Sequence, residues 1–303
     1  MASHRTKRTI MRNRIAAFIA GLVLLPPLAI SISGQRWDAP APVAGAVWLP
    51  ALSGMVAIIL FGFLLDTLTF QRTGHSLMRS QRGYLLWNGV AGTATCTLLA
   101  YLNLFAGAWF TPADSNAAAL LLAALCGTAL LPAVLITRLW LAGLPGLVRL
   151  STRRFALPTL PAEAVSMLLL LAALSGLTAG TIWADQLGWL FWVSPLLLLV
   201  ALQLLWHEST VFSGLAQGDW SRVLLGAVSG IAVGGIALAV YRLSEGTIYL
   251  VAGTGKLVAG LALFGLLCLQ VSDVVAENWR GKKRADIFKK KPFPIPIVTK
   301  KDQ

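Results

Sequence analysis

The chain offers few side chains for acid–base or metal chemistry: 12 Asp and Glu and three His in 303 residues. Asp66, His75, His207, Glu208, Asp219, Asp273 and Glu277 lie at or beyond the ends of apolar runs. Such a set could ligate a metal or relay protons. Spacing argues against the metal. There is no H-x-x-x-H or H-E-x-x-H, and the adjacent His207 and Glu208 point to different faces of a helix. Asp66 and Asp273 are set apart by position. A carboxylate at the end of an apolar span is costly unless it is useful or exposed, which makes this pair the candidate proton or substrate path.

Other chemistries find less support. An intramembrane bis-His haem needs paired His at mid-depth, whereas His4 is in the N-terminal tail and His75 and His207 fall at span ends. No Gly-x-Ser-x-Gly elbow occurs, and no two carboxylates lie at mid-depth for intramembrane proteolysis. The sequence from Gly253 to Lys256 looks like part of a phosphate loop. It fails the pattern, because Leu250 stands where the first Gly belongs and Leu257 replaces Ser or Thr. Cys96, Cys126 and Cys268 sit in apolar runs without paired spacing and read as small core residues. The balance leans away from an enzyme, and no pattern specifies a cofactor. Asn88, Tyr101, Asn103, Gln203 and Gln270 remain as polar groups within spans, with interhelical hydrogen bonding as their ordinary use.

The elements that carry these residues follow from composition. Hydrophobic residues make up 57% and charged residues 12%, with mean hydropathy +0.74. A soluble domain carries roughly 25% charge, so a free globular enzyme is excluded, and so is a disordered chain. Eight stretches approach the ~20 residues that cross a bilayer as helix: 15–34, 43–65, 84–110, 117–137, 164–184, 187–206, 223–241 and 257–276. They do not alternate as barrel strands do, and lipid obliges them to satisfy their backbone internally. The predicted fold is therefore an all-α bundle of eight transmembrane helices.

The positive charges orient it. Of the 25 Lys and Arg residues, all but Arg36, Arg242 and Lys256 fall on the side that holds both termini. The positive-inside rule makes that side the cytoplasm, and the bacterial inner membrane is the expected location. The net charge of +13 is then an orienting charge, with no nucleic-acid partner implied. Trp residues near both ends of the spans resemble an interfacial belt. Residues 15–34, preceded by five cations, also have the form of a signal peptide; the lack of an A-x-A site and the Pro26-Pro27 pair favour a retained first span.

The expected organisation is a basic N-tail (1–14), a first four-span half (15–141), a cytoplasmic link (142–163), a second four-span half (164–277) and a basic, Pro-containing C-tail (278–303). Pro50 in span two and Pro195 in span six, each in its outer part, suggest a parallel four-plus-four repeat. Gly226, Gly230 and Gly234 stand four apart in span seven, as do Gly176 and Gly180 in span five; this spacing admits close helix approach, within the chain or in a dimer. In the C-tail, Arg280, Lys282, Lys283, Arg284, Lys289, Lys290 and Lys291 can hold anionic headgroups at roughly 1 kcal/mol each. Pro292, Pro294 and Pro296 then extend the chain, as a docking arm for a soluble cytoplasmic partner or as a stiff orienting end. The terminal Lys300-Lys301 resembles a dilysine signal, meaningful only in a eukaryotic cell.

Two functions follow. The first is a non-catalytic scaffold or anchor subunit of a membrane complex, packing against lipids and other membrane subunits and docking a partner through its tail. The alternative is a small-solute transporter or channel that uses Asp66 and Asp273. The residues favour the scaffold.

Overall fold

The computed structural model describes residues 48–110, 115–152, 155–156, 158, 161–250 and 254–279. Span one (15–34), the N-tail and the C-tail from Arg280 onward, with its basic cluster 280–291, lie outside the described residues; the first two residues of the expected C-tail belong to the last helix. Long apolar runs without internal charge leave helix as the backbone's way to satisfy itself in lipid. The chain accordingly forms α1 (Trp48–Thr73), α2 (Leu77–Ser80), α3 (Arg82–Ala106), α4 (Asn116–Ala142), α5 (Pro145–Thr152), α6 (Ala162–Ile182), α7 (Ala184–Leu187), α8 (Leu190–Leu205), α9 (Ser221–Leu243) and α10 (Thr254–Trp279). Two-residue strands β1 (Trp109–Phe110) and β2 (Tyr249–Leu250) pair antiparallel.

Six of these helices, α1, α3, α4, α6, α9 and α10, are long and apolar enough to cross a membrane. This is the architecture of a multi-pass helical membrane protein. The stretch 187–206 is where sequence and structure part. Its helix, α8, has only 16 residues. It ends at Leu205 because His207 adopts a left-handed φ of 54°, which a right-handed helix cannot continue through. At its other end the preceding residues form the separate short helix α7.

The bundle centre is filled. Ile58 of α1, Leu131 and Val134 of α4, Leu196 and Val200 of α8, Val233 of α9 and Leu267 of α10 share one apolar core. Helix α3 lies along α4, and α9 along α10; α1 packs on α4 and α9, while α8 packs on α10 and α3. Helix α4 further contacts α9 and α10, and α6 lies along α8.

Glycine sets the tightest crossings. A Cβ on Gly92 would strike the carbonyl oxygen of Gly127, and one on Gly127 would strike that of Gly92. At the α9–α10 crossing, Gly230 and Gly265 meet backbone to backbone in the same way. Only a residue without a side chain permits such an approach, and dispersion contacts between the backbones are then gained along the crossing.

Candidate functional site

One end of the bundle gathers the charged side chains: α1 and α4 finish there with Arg72 and Arg138, while α3 and α9 begin there with Arg82 and Arg222. Asp66, in the penultimate turn of α1, is 4% exposed. Its Oδ2 accepts a short hydrogen bond from the Ser76 hydroxyl, and its Oδ1 accepts from the Met78 N–H at 3.4 Å. Ser76 in turn N-caps α2 by accepting from the Arg79 N–H at 3.3 Å. Gly74, at φ 73°, makes the turn that brings Ser76 back to α1. The Arg79 guanidinium lies over the Phe70 ring at 3.9 Å. Asp66 therefore anchors the return of the chain between α1 and α3.

Asp273 of α10 pairs with Arg222 of α9, Nη2 to Oδ2 at 2.5 Å. One position away, Ser272 Oγ lies 2.5 Å from the Tyr84 hydroxyl of α3. Arg138 of α4 lies in the electrostatic field of Arg222, Asp273, Tyr84 and Asp219. The Asp273 pair thus closes α9 on α10, and the neighbouring Tyr84–Ser272 bond closes α3 on α10. The two carboxylates singled out from the sequence belong to two separate networks, with Ser76 at one and Arg222 at the other.

The loop before α9 docks on α5 and the segment that follows it. The Trp220 N–H donates to the Ser151 carbonyl at 3.1 Å, and its Nε1–H donates to the Phe155 carbonyl at 2.9 Å. Asp219 accepts from the Ser221 N–H at 2.8 Å. Hydrogen bonding from the Ser221 side chain, then from its backbone N–H, and beyond them the field of Arg222, hold the Asp219 carboxyl below its ordinary pKa.

Deeper in the bundle, Gln270 of α10 bonds Gln203 of α8 and accepts from the Val211 N–H at 2.9 Å. This is the one interhelical bond among the five polar residues expected to make them. Asn88 donates to the Tyr84 carbonyl of its own helix at 2.8 Å. Asn103 binds its own turn, donating to the Trp109 carbonyl at 2.7 Å and accepting from the Ala108 and Trp109 N–H groups. Tyr101 packs edge-on against Phe105.

At the opposite end, the Ser53 hydroxyl donates to Ser244 Oγ at 2.6 Å, tying α1 to α9. Arg242 donates to the Ile248 carbonyl at 2.6 Å. Trp109 stacks on Trp192 of α8 with ring centroids 4.7 Å apart. An apolar cavity of about 220 Å³ lies between α1, α4 and α9, bordered by Gly54, Ile58, Leu122, Cys126 and Tyr241.

Gly226, Gly230 and Gly234 all face α10, against Leu269, Gly265 and Leu261; Gly176 and Gly180 face Ser194 and Phe191 of α8. Gly92, Gly127 and Gly265 play the same part and are not singled out by spacing, because none has another glycine four positions away; the match is a glycine on another helix. Among the described residues, no three His, Cys, Asp or Glu side chains converge to hold a metal ion. Comparison with known proteins finds no family model, no curated sequence and no solved structure that matches this chain.

Proposed function

We propose that the protein is a non-catalytic scaffold or anchor subunit of a membrane complex, seated in a bacterial inner membrane with both termini in the cytoplasm. The observation that carries this reading is the engagement of both span-end carboxylates. Asp66 anchors a turn through Ser76 and Met78, and Asp273 closes two helices through Arg222. Each carboxylate thus has a structural task of its own, and neither needs a transport role to account for its place at the end of an apolar span. The filled apolar centre supports the same reading, since transporters keep polar sites at mid-depth. In this role the basic C-tail holds anionic headgroups or a soluble partner.

The scaffold is built as two parallel four-span halves. Support comes from an exchange of elements: replacing α1 by α8, α3 by α9 and α4 by α10, and the reverse, converts each packing pair among them into another existing pair. The two glycine crossings obey it in number as well as kind. Gly92 and Gly127 precede Gly230 and Gly265 by the same 138 positions. The pairing of β1 with β2 also fits, because equivalent loops meeting at a two-fold axis run antiparallel.

The test is flux. In proteoliposomes holding a pH-sensitive dye, the purified chain should pass no more protons under an imposed potential than empty vesicles. Proton flux that disappears in Asp66→Asn or Asp273→Asn would overturn the scaffold reading in favour of the transporter.

A further inference from the structure

The exchange of halves leaves one of the six long helices without a counterpart among the described residues. Helix α6 covers α8 and also touches α3; its equivalent must cover α1 and touch α9. The chain supplies one candidate of suitable length and character, the apolar stretch 15–34. We propose that residues 15–34 dock on the open face of α1 in the manner of α6 on α8. This inference rests on the parallel repeat proposed above.

Register identifies the face. Pro50 and Pro195 are 145 positions apart. On α1, Leu49, Leu52, Val56 and Ile59 form one apolar stripe at helical spacing and are 74%, 42%, 51% and 49% exposed. Advanced by the same 145 positions, that stripe becomes Ser194, Leu197, Ala201 and Leu204 of α8. There Ser194 meets Gly176 of α6, and Ser194 and Ala201 are 1% and 0% exposed. Leu197 and Leu204 are half-buried, so all four equivalent positions on α8 are more shielded than the stripe on α1. An exposed apolar stripe is ordinary on a lipid-facing helix; the match of phase with the covered stripe of α8 is what selects this one.

The rest of the chain permits the contact. Residues 15–34 carry small residues four apart, Ala17 with Gly21 and Ala29 with Ser33, the spacing at which Gly176 and Gly180 admit α8. Thirteen residues separate position 34 from Trp48. At about 3.3 Å each they can reach across the end of a helix bundle.

The experiment uses the full-length chain in native membranes. A benzophenone amino acid replaces Val56, and in a second variant Ile59; both positions are exposed, so the bulk is tolerated. After illumination and proteolysis, the expected product at both positions joins the α1 peptide to a peptide from 15–34, at the mass of a single chain. A product with lipid, with a second copy of the chain at doubled mass, or with no part of 15–34 overturns the docking. Asp38→Cys, labelled with a membrane-impermeant maleimide against the unmutated chain as control, separates the two levels of the argument. Labelling from outside the cell without the cross-link removes the docking alone. Labelling only from the cytosol removes the parallel repeat itself, because residues 15–34 then do not cross as α6 does.

Discussion

At the scale of single residues, Asp66 is the informative case. Its carboxylate is buried and serves two donors, so removing it strands the Ser76 hydroxyl and the Met78 N–H without water to replace it. Asp66→Ala should lower stability by about 2 kcal/mol, read as unfolding in mixed micelles. Asp66→Asn keeps an acceptor and should lose roughly half as much. Equal stability in all three chains would show that the turn does not depend on this side chain. The sequence marks Asp66 as unusual because a charge in an apolar span is expensive. It does not reveal the partner, because Ser76 reaches Asp66 only after Gly74 turns the chain back, and a turn geometry leaves little trace in composition. The same holds for Asp273, whose partner Arg222 is 51 positions away.

At the scale of elements, the two glycine crossings decide how closely the helices can approach. Gly92→Leu or Gly230→Leu would drive a side chain into the facing backbone, and overpacking of this kind costs roughly 1–3 kcal/mol. Gly235 provides the control: nothing lies within 4 Å of the Cβ it would gain. Gly235→Leu should therefore leave the chain monodisperse after heating in detergent, while the other two aggregate at a lower temperature. Aggregation of all three at the same temperature would refute the crossings. Helix existence was legible, since an uncharged apolar run has no alternative in lipid. The start of α8 was not, because hydropathy is continuous from Leu187 through Trp192 while the backbone breaks between α7 and α8 at Gly188 and Trp189. Nor was the crossing partner of Gly92, because the glycines of one apolar run specify no neighbour on another helix.

At the scale of the whole molecule, charge and hydropathy carried the reading furthest. They separate one basic end from the rest, and the described helices assemble with that end together. For the two-half organisation proposed above, the sequence offers two prolines; the pairing of helices on which that proposal rests is a pattern no linear sequence contains. The basic tail makes a prediction at this scale. A peptide of residues 278–303 should bind vesicles containing anionic lipid and not purely zwitterionic ones. Its affinity should fall steeply as salt shortens the Debye length from about 10 Å toward 3 Å. Salt-independent binding would instead point to apolar insertion.

The contact of Trp109 with Trp192 has one further consequence. Two indoles stacked at this distance share their excited states, so the chain carries an optical signature of its own at the point where the loop after α3 rests on α8. A circular-dichroism couplet in the indole absorption bands would appear only when that seat is occupied, reporting the docking of this loop on α8 without any added dye.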